Sequence, residues 1–245
     1  HYIGTFLDVS ERKEAEDRIR QLVEFDLLTR LPNRALLNDR LTQAIAIAER
    51  EKKRVAVLVI DMDRFKTVND SLGHATGDEI LQEVAARLSR LVRNSDTVSR
   101  LGGDEFAVLL TSLDQPTQSL PVARKVLEAL SEPYLVREHD FRITPSIGIA
   151  LYPDSGTDSG TLLQNADAAM YHAKHLGRNN FQFFTSEFNL LATERLQTEN
   201  GLRHALARHE LVLHYQPQIA LASGRIVGCE ALLRWQPAEE PMVMP

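Results

Sequence analysis

The 245-residue sequence contains one cysteine, Cys229, and one tryptophan, Trp235. A single thiol excludes an intrachain disulfide framework and suits a reducing compartment, so a cytoplasmic setting is expected. No apolar run approaches the roughly 18–20 residues that cross a bilayer, and no secretory signal pattern is visible, so no membrane contact is expected of this fragment. A strong positive charge is also lacking: the formal net charge is −6, which excludes general attraction to nucleic acid. A polyphosphate ligand must then be held by local cations, metal ions or backbone N–H groups in a defined site. The chain also lacks an initiator methionine and opens like the end of a strand, so it reads as part of something longer. Internal repeats and low-complexity segments are missing. What remains, with 25% charged and 43% hydrophobic residues, is an ordinary globular composition long enough to bury a core.

"HYIGTFLDVS" alternates, and Ser10 is placed to cap a helix over "ERKEAEDRIRQLVEF". On that helix Ala15, Ile19 and Leu22 recur at spacings of four and three, which predicts either a surface helix with one apolar stripe or the start of a dimerising coiled-coil seam. A second helix is predicted from about Arg34 to Arg50. "RVAVLVIDMD" is a continuous apolar, β-branched run ending in two aspartates, the pattern of a central buried strand whose tip meets solvent. A loop follows, then a helix in which Ile80, Leu81, Val84, Ala85, Leu88, Leu91 and Val92 share one face. "DTVSRL" and "EFAVLL" flank two glycines and two acids, which makes "GGDE" the tip of a β-hairpin. A helix with Pro121 in its first turn, a strand over "FRITPSIGIALYP", a helix ended by Gly177 and a closing strand over "NNFQFF" complete the unit. This order predicts an α+β split βαβ sheet with helices packed against one face. Near residue 190 the composition shifts to a helix, a strand, a turn and a second strand, the unfinished beginning of another domain.

Placing the first strand beside the hairpin would bring Asp61, Asp63, Asp104 and Glu105 to one end of the sheet. Carboxylates that close repel one another unless cations lie between them, and hard oxygen ligands suit Mg²⁺ or Mn²⁺. Such ions complete their shells with substrate phosphates, so a nucleotide is the natural guest. Lys66, Asn69 and Asp78 surround a Gly73-containing loop, and Asn with Asp suits the edge of guanine. Lys174 and Arg178 are spaced one helical turn apart and reach the same anion. His172 and His175 share a helical face without cysteines nearby and read as solvated.

The ordered motifs "DLLTRLPNR", "VIDMDRFKTVNDSLGHATGDEIL", "RNSDTVSRLGGDEFAVLL", "SIGIALYPDSG" and "ADAAMYHAKHLGRN" resemble the GGDEF domain, the diguanylate cyclase family, over about Asp26 to Phe184. The resemblance implies a palm-like fold related to nucleotide cyclases and polymerases. It also implies condensation of two GTP into cyclic di-GMP and pyrophosphate, with two Mg²⁺ or Mn²⁺ ions per active site. The implied metal ligands are Asp61, the carbonyl of Met62, and Asp104, with Glu105 a second metal ligand or the group that deprotonates the attacking hydroxyl. Asn69 and Asp78 match the guanine contacts. Lys174, Arg178, Lys66 and the backbone N–H groups of Asp63, Arg64 and Phe65 match the phosphate contacts. Arg93 and Asp96 match the RxxD product-inhibition motif. Leu27 and Arg30 stand where the family often has Pro and Gly. Catalysis then requires a homodimer, two domains meeting with their GTP molecules antiparallel.

"LVLHYQPQIALASGRIVGCEALLRW" resembles the start of an EAL phosphodiesterase domain, with Glu230 as a metal ligand and Arg234 as a phosphate contact. Two strands cannot close a barrel, so phosphodiesterase activity is not expected of this fragment. Trp235 is expected to be exposed unless it packs on another surface. "DVSERK" resembles the junction by which PAS sensors feed such cyclases. The expected boundaries are 1–24 for the sensor end and linker, 25–185 for the GGDEF domain and 186–245 for the EAL fragment. The alternative is a non-catalytic GTP- or cyclic di-GMP-binding module that regulates a phosphodiesterase. A nucleotide cyclase acting on one nucleotide is disfavoured by the RxxD placement and the EAL beginning.

Overall fold

The computed structural model describes residues 23–136, 139–185, 205, 208 and 210–236. The expected strand end, the Ser10 cap, the Ala15, Ile19 and Leu22 stripe and the PAS-like junction lie outside the described residues. The chain divides into two units, 1–189 and 190–245.

In the first unit, β1 (Arg54–Met62) forms the centre of a five-stranded sheet. Its neighbours are β3 (Glu105–Leu113) and β6 (Pro145–Tyr152), both antiparallel to it. β2 (Thr97–Gly102) pairs with β3, and β7 (Asn180–Phe183) closes the other edge parallel to β6. The helices are α1 (Arg34–Glu51), α2 (Phe65–Leu72), α3 (His74–Leu91), α4 (Ser119–Ser131) and α5 (Ser159–His175). They do not lie on one face as the strand order had suggested. Leu58, Ile60, Phe106 and Ile147 meet α3 and α4 residues such as Ile80, Leu88, Val126 and Leu130 in one core. Val57, Val59, Ala107 and Ala150 meet Leu37, Leu41, Leu162 and Ala166 of α1 and α5 in another. The reason is visible in β1 itself: every residue from Val55 to Met62 is buried, so both faces need cover.

Two further elements differ from expectation. Residues 65–72, read as loop, form α2, which buries Phe65. The stretch before β6 is not continuous strand; β4 (Tyr134–Val136) and β5 (His139–Phe141) form a separate two-stranded hairpin. Arg87 of α3 secures the approach to that hairpin. Its guanidinium donates to the carbonyls of Ala129, Glu132 and Pro133 at 2.9, 2.8 and 2.7 Å and lies 4.0 Å from the centre of the Tyr134 ring. Ala129 belongs to the last turn of α4, whose carbonyls lack helical partners; the Tyr134 hydroxyl covers the neighbouring Leu130 carbonyl at 2.8 Å. Arg87→Ala is therefore expected to cost about 2 kcal/mol; an unchanged thermal midpoint would show that water replaces the guanidinium without loss.

α1 is started by Asn33, whose side-chain oxygen accepts from the amides of Ala35 and Leu36. α5 is started by Asp158, which accepts from Thr161. α5 then runs across β6 at very close range, because Gly148 presents no side chain to it. A Cβ at that position would lie 1.9 Å from the Ala166 oxygen and 2.1 Å from the Met170 nitrogen. Among the described residues no helix is long and apolar enough to cross a membrane.

The second unit contains an antiparallel pair, β8 (Leu211–Ile219) and β9 (Ile226–Trp235). Glu230 stands opposite Gln216 and Arg234 opposite Val212, four residues apart on β9. Trp235 is not exposed: it is buried, and its indole N–H donates to Glu210 at 3.0 Å. An indole placed at a strand end with a carboxylate in reach satisfies its donor while burying its ring.

Candidate functional site

The β1–β3 register puts Asp61 directly opposite Glu105. The turn between β2 and β3 is made by Gly102 at φ 139° and Gly103 at φ 52°, backbone conformations that side-chain-bearing residues rarely adopt. The turn is also clamped from outside. Arg100 donates to the Gly103 carbonyl at 3.0 and 2.6 Å and to Asp26 at 3.0 and 3.2 Å, and its own amide donates to the Pro32 carbonyl. The segment from Asp26 to Pro32 is thereby fastened to the acidic hairpin. Arg34 adds a contact of 3.6 Å to the Glu105 carboxylate.

At the tip of β1, Asp61 is nearly buried and pairs with Lys174 of α5 at 2.8 Å. Loss of water around the carboxyl is the main influence on it. The pair with Lys174 works against that effect, while the charges of Asp104 and Glu105 add to it, and the Asp61 pKa is pushed up to about 6. Glu105 is also raised, first by burial and next by the charge of Asp167 on α5, with Arg34 opposing. Asp167 and Arg34 were not singled out from the sequence; only the packing of α5 and α1 around the hairpin reveals that they face Glu105.

Asp63 departs from its expected role. Its amide, expected at a phosphate, donates instead to the Thr144 carbonyl at 2.8 Å. Its carboxylate accepts from the Thr144 and Ser146 hydroxyls at 2.6 and 2.7 Å. Of the three amides anticipated for phosphate, those of Arg64 and Phe65 remain at the start of α2, where a helix leaves its first N–H groups without internal partners. Lys66 is exposed on the first turn of the same helix. Lys174 and Arg178 are not one helical turn apart. α5 ends at His175, and Arg178 lies beyond it with φ 64°, its Nε 3.9 Å from Asp63.

Asn69 on α2 and Asp78 on α3 are brought together across Gly73. The Asn69 amide lies against Gly77, where a Cβ would fall 2.0 Å from its Oδ1. That Oδ1 is buried and has no hydrogen-bond partner among the described residues, which leaves one strong acceptor of the side chain uncommitted. Asp78 follows Gly77 and is exposed.

Arg93 and Asp96 lie at the opposite end of β2, six residues and therefore roughly 20 Å from the glycine turn. The Asp96 carboxylate accepts from the amides of Arg93 and Thr111, both at 3.2 Å, which leaves the exposed Arg93 side chain pointing from a turn that Asp96 itself closes. His175 is not merely solvated, since its ring packs edge-on against Tyr171 at 4.4 Å.

Among the described residues no three His, Cys, Asp or Glu side chains converge as a ready-made metal cluster. The donor set is nonetheless suited to a hard divalent cation: Asp61, Asp104 and Glu105 are close enough to raise the Asp61 pKa, and a backbone carbonyl adjoins them at Met62.

Residues 23–180 match the family model "Diguanylate cyclase, GGDEF domain", and residues 199–245 match the EAL domain model. The chain is 50% identical over 231 residues to the bifunctional diguanylate cyclase/cyclic di-GMP phosphodiesterase MucR of Pseudomonas aeruginosa, covering 94% of this chain and 34% of that protein. It is 38% identical over 237 residues to the cyclic di-GMP phosphodiesterase NbdA of the same organism, covering 97% of this chain and 30% of that protein. The chain thus spans about a third of the length of these relatives. Among solved structures, the GGDEF domain of YfiN from Pseudomonas aeruginosa superposes with a TM-score of 0.63 at 42% identity, covering 64% of this chain and 98% of that one. The coiled coil and GGDEF domain of DgcB from Caulobacter crescentus, in complex with c-di-GMP, gives a TM-score of 0.63 at 30% identity over 71% of this chain and 93% of that one. With acidic hairpin, central strand and family match in agreement, the chain belongs to the GGDEF diguanylate cyclase family and carries the start of an EAL domain behind it.

Proposed function

We propose that the first unit is an active diguanylate cyclase that joins two GTP molecules into cyclic di-GMP with release of two pyrophosphates. The observation that carries this reading is the pairing of Asp61 with Glu105 across β1 and β3, with Lys174 reaching the same point from α5. Carboxylates for cations and a lysine for phosphate thus meet at one sheet end. Asp61, the Met62 carbonyl, Asp104 and Glu105 would hold Mg²⁺ or Mn²⁺, two per site, supplying charge stabilisation to the attacking 3′-oxygen and the departing pyrophosphate.

The chain's own residues do the rest. Asn69, whose buried Oδ1 has no partner among the described residues, and Asp78 hold the guanine edge. Lys66, Lys174, Arg178 and the amides of Arg64 and Phe65 hold the triphosphate. Glu105, with a pKa raised by burial, is suited to accept the proton of the 3′-hydroxyl. Each 3′-oxygen forms a bond to the α-phosphorus of the other GTP, and the bond from that phosphorus to pyrophosphate breaks. One domain cannot close both bonds, so two domains must meet, and their proximity sets the rate.

Incubating the protein with GTP and Mg²⁺ over a protein concentration series, with nucleotides resolved by chromatography, tests this directly. Cyclic di-GMP rising more steeply than linearly with protein is the expected result. GTP bound but unchanged at concentrations where the protein is dimeric would favour a second reading, a nucleotide-binding module that regulates a phosphodiesterase. The phosphodiesterase name of NbdA at 38% identity gives that reading its support.

Arg93, exposed at the far end of β2, is assigned to product inhibition together with Asp96. Arg93→Ala is expected to leave initial turnover intact and relieve inhibition by added cyclic di-GMP; an unchanged inhibition curve would remove this site from the proposal. Asp96 is the poorer choice for that test, because its carboxylate also closes the turn.

A further inference from the structure

We propose that Asp63 is a positioning residue that sets the phosphate-facing loop carrying Arg178, an inference that rests on the nucleotide reading of this site. The Asp63 side chain is 4% exposed and stands at the meeting point of three segments. It directly follows β1, accepts from the hydroxyls of Thr144 and Ser146 at the start of β6, and accepts from the backbone N–H of Asn179 at 3.2 Å in the connection between α5 and β7. That connection has an unusual shape. Gly177, Arg178 and Asn179 take φ values of 106°, 64° and 49° in succession. Residues with a side chain avoid the left-handed region unless their surroundings hold them there.

Several contacts hold them there, and the Ser131 hydroxyl at the end of α4 donates to the Asn179 side chain at 2.9 Å. Asn180 donates from its side chain to the carbonyls of Ala173 and Arg178 at 2.8 and 2.9 Å, and the Arg178 amide donates to Ala173 at 3.2 Å. These bonds tie the loop to the end of α5. Asp63 alone among the described contacts ties it to the end of β1, the strand that carries Asp61. The Arg178 Nε, 3.9 Å from Asp63, is held on the same carboxylate. Asp63 therefore fixes the distance between the acid cluster and the guanidinium without touching the nucleotide itself. A carboxylate suits this work because it offers four acceptor directions and no donor, and every group facing it here is a donor. The two hydroxyls could accept from an asparagine N–H₂, but that group would face the donor-only Asn179 amide in one orientation and the donor-only Arg178 guanidinium in the other.

The test compares Asp63→Asn with the unaltered chain by two measurements. The first is binding of GTP and of GMP. Misplacement of Arg178 is expected to weaken GTP binding about tenfold and GMP binding by less than about twofold, because the guanine contacts on α2 and α3 are untouched. Both affinities unaltered, or both lowered alike, would overturn the proposal, since a general loss of structure does not discriminate between phosphates. The second measurement needs no nucleotide: ¹⁵N relaxation of the Arg178 and Asn179 amides. Increased motion there, with α5 unchanged, is expected, and unchanged order at both amides would overturn the pinning. Failure of the nucleotide reading is separately visible, as a wild-type protein that binds neither GTP nor GMP. Should Asp63→Asn not fold, Ser146→Ala removes one donor to the same carboxylate; the GTP-to-GMP affinity ratio is then expected to fall about threefold, and an unchanged ratio would count against the proposal.

Discussion

Asp104→Ala is expected to abolish cyclic di-GMP formation, lowering turnover by more than about 1000-fold, while the protein remains folded and still binds GTP. The fold survives because Asp104 sits in a turn whose geometry is set by Gly102 and Gly103 and by the Arg100 bonds to Gly103, none of which involves the Asp104 side chain. Relief of crowding works in the same direction, since the Asp104 charge is among the causes that raise the Asp61 pKa. Residual product above a few per cent of wild type would assign the cation-holding role to Asp61 and Glu105 without it. The same cluster predicts a pH dependence. Asp61 titrates at about 6 in the folded protein against an ordinary value of 3.8, so the native state binds this proton more tightly than the unfolded chain. Metal-free stability from this group is therefore present at low pH and is lost as pH rises through that window. Cation binding runs the other way, because it needs the ionised carboxylate. Thermal melts should accordingly show a larger Mg²⁺ stabilisation at pH 8 than at pH 5, and equal stabilisation at both would separate Asp61 from the cation.

Gly148→Ala is expected to destabilise the first unit by about 3 kcal/mol or more, a thermal shift of roughly 10 °C for a domain of this size. The added methyl would meet the backbone of α5 at Ala166, Ala169 and Met170, not the end of a flexible side chain. Backbone atoms cannot rotate away, so α5 as a whole must move outward. The helix carries Lys174 near its end, and that displacement opens the 2.8 Å pair with Asp61. Loss of stability should then be accompanied by loss of GTP binding in the fraction that remains folded. A variant with wild-type melting behaviour would mean that β6 and α5 can separate at little cost, contrary to the packing seen around Ala166 and Met170.

The parts of the fold legible in the sequence are those fixed by strong local signals. The apolar, β-branched run ending at Asp61 has the pattern of a buried strand and the glycine pair before Asp104 that of a turn, so the acidic end of the sheet follows from the order of elements. α2 was not legible because "FKTVNDSL" mixes β-branched Thr67 and Val68 with turn-forming Asn69, Asp70 and Ser71. Its helical form depends on Phe65 finding the core. The three-residue strands β4 and β5 carry too few positions to show a period. Asp63 reads from the sequence as one of four converging carboxylates and as a phosphate-facing amide, because the actual partners of its carboxylate lie 81, 83 and 116 residues away. Arg34 and Asp167 likewise acquire meaning only from the two helices that bring them to Glu105. Composition cannot encode such distant meetings.

The central position of β1 divides the site into halves of unequal permanence. Val57, Leu58, Val59 and Ile60 are hydrogen-bonded to a strand on either side and at most 1% exposed. Their amides should be among the slowest to exchange with deuterium, opening only when the whole domain unfolds. Asp61 and Met62 continue that strand, whereas Arg178 sits in a four-residue connection to the edge strand β7. Sub-global opening at that edge would release the guanidinium while the carboxylates stayed in place. The acidic half of the site is thus as durable as the fold, and the Arg178 guanidinium is the part that local fluctuation can switch off.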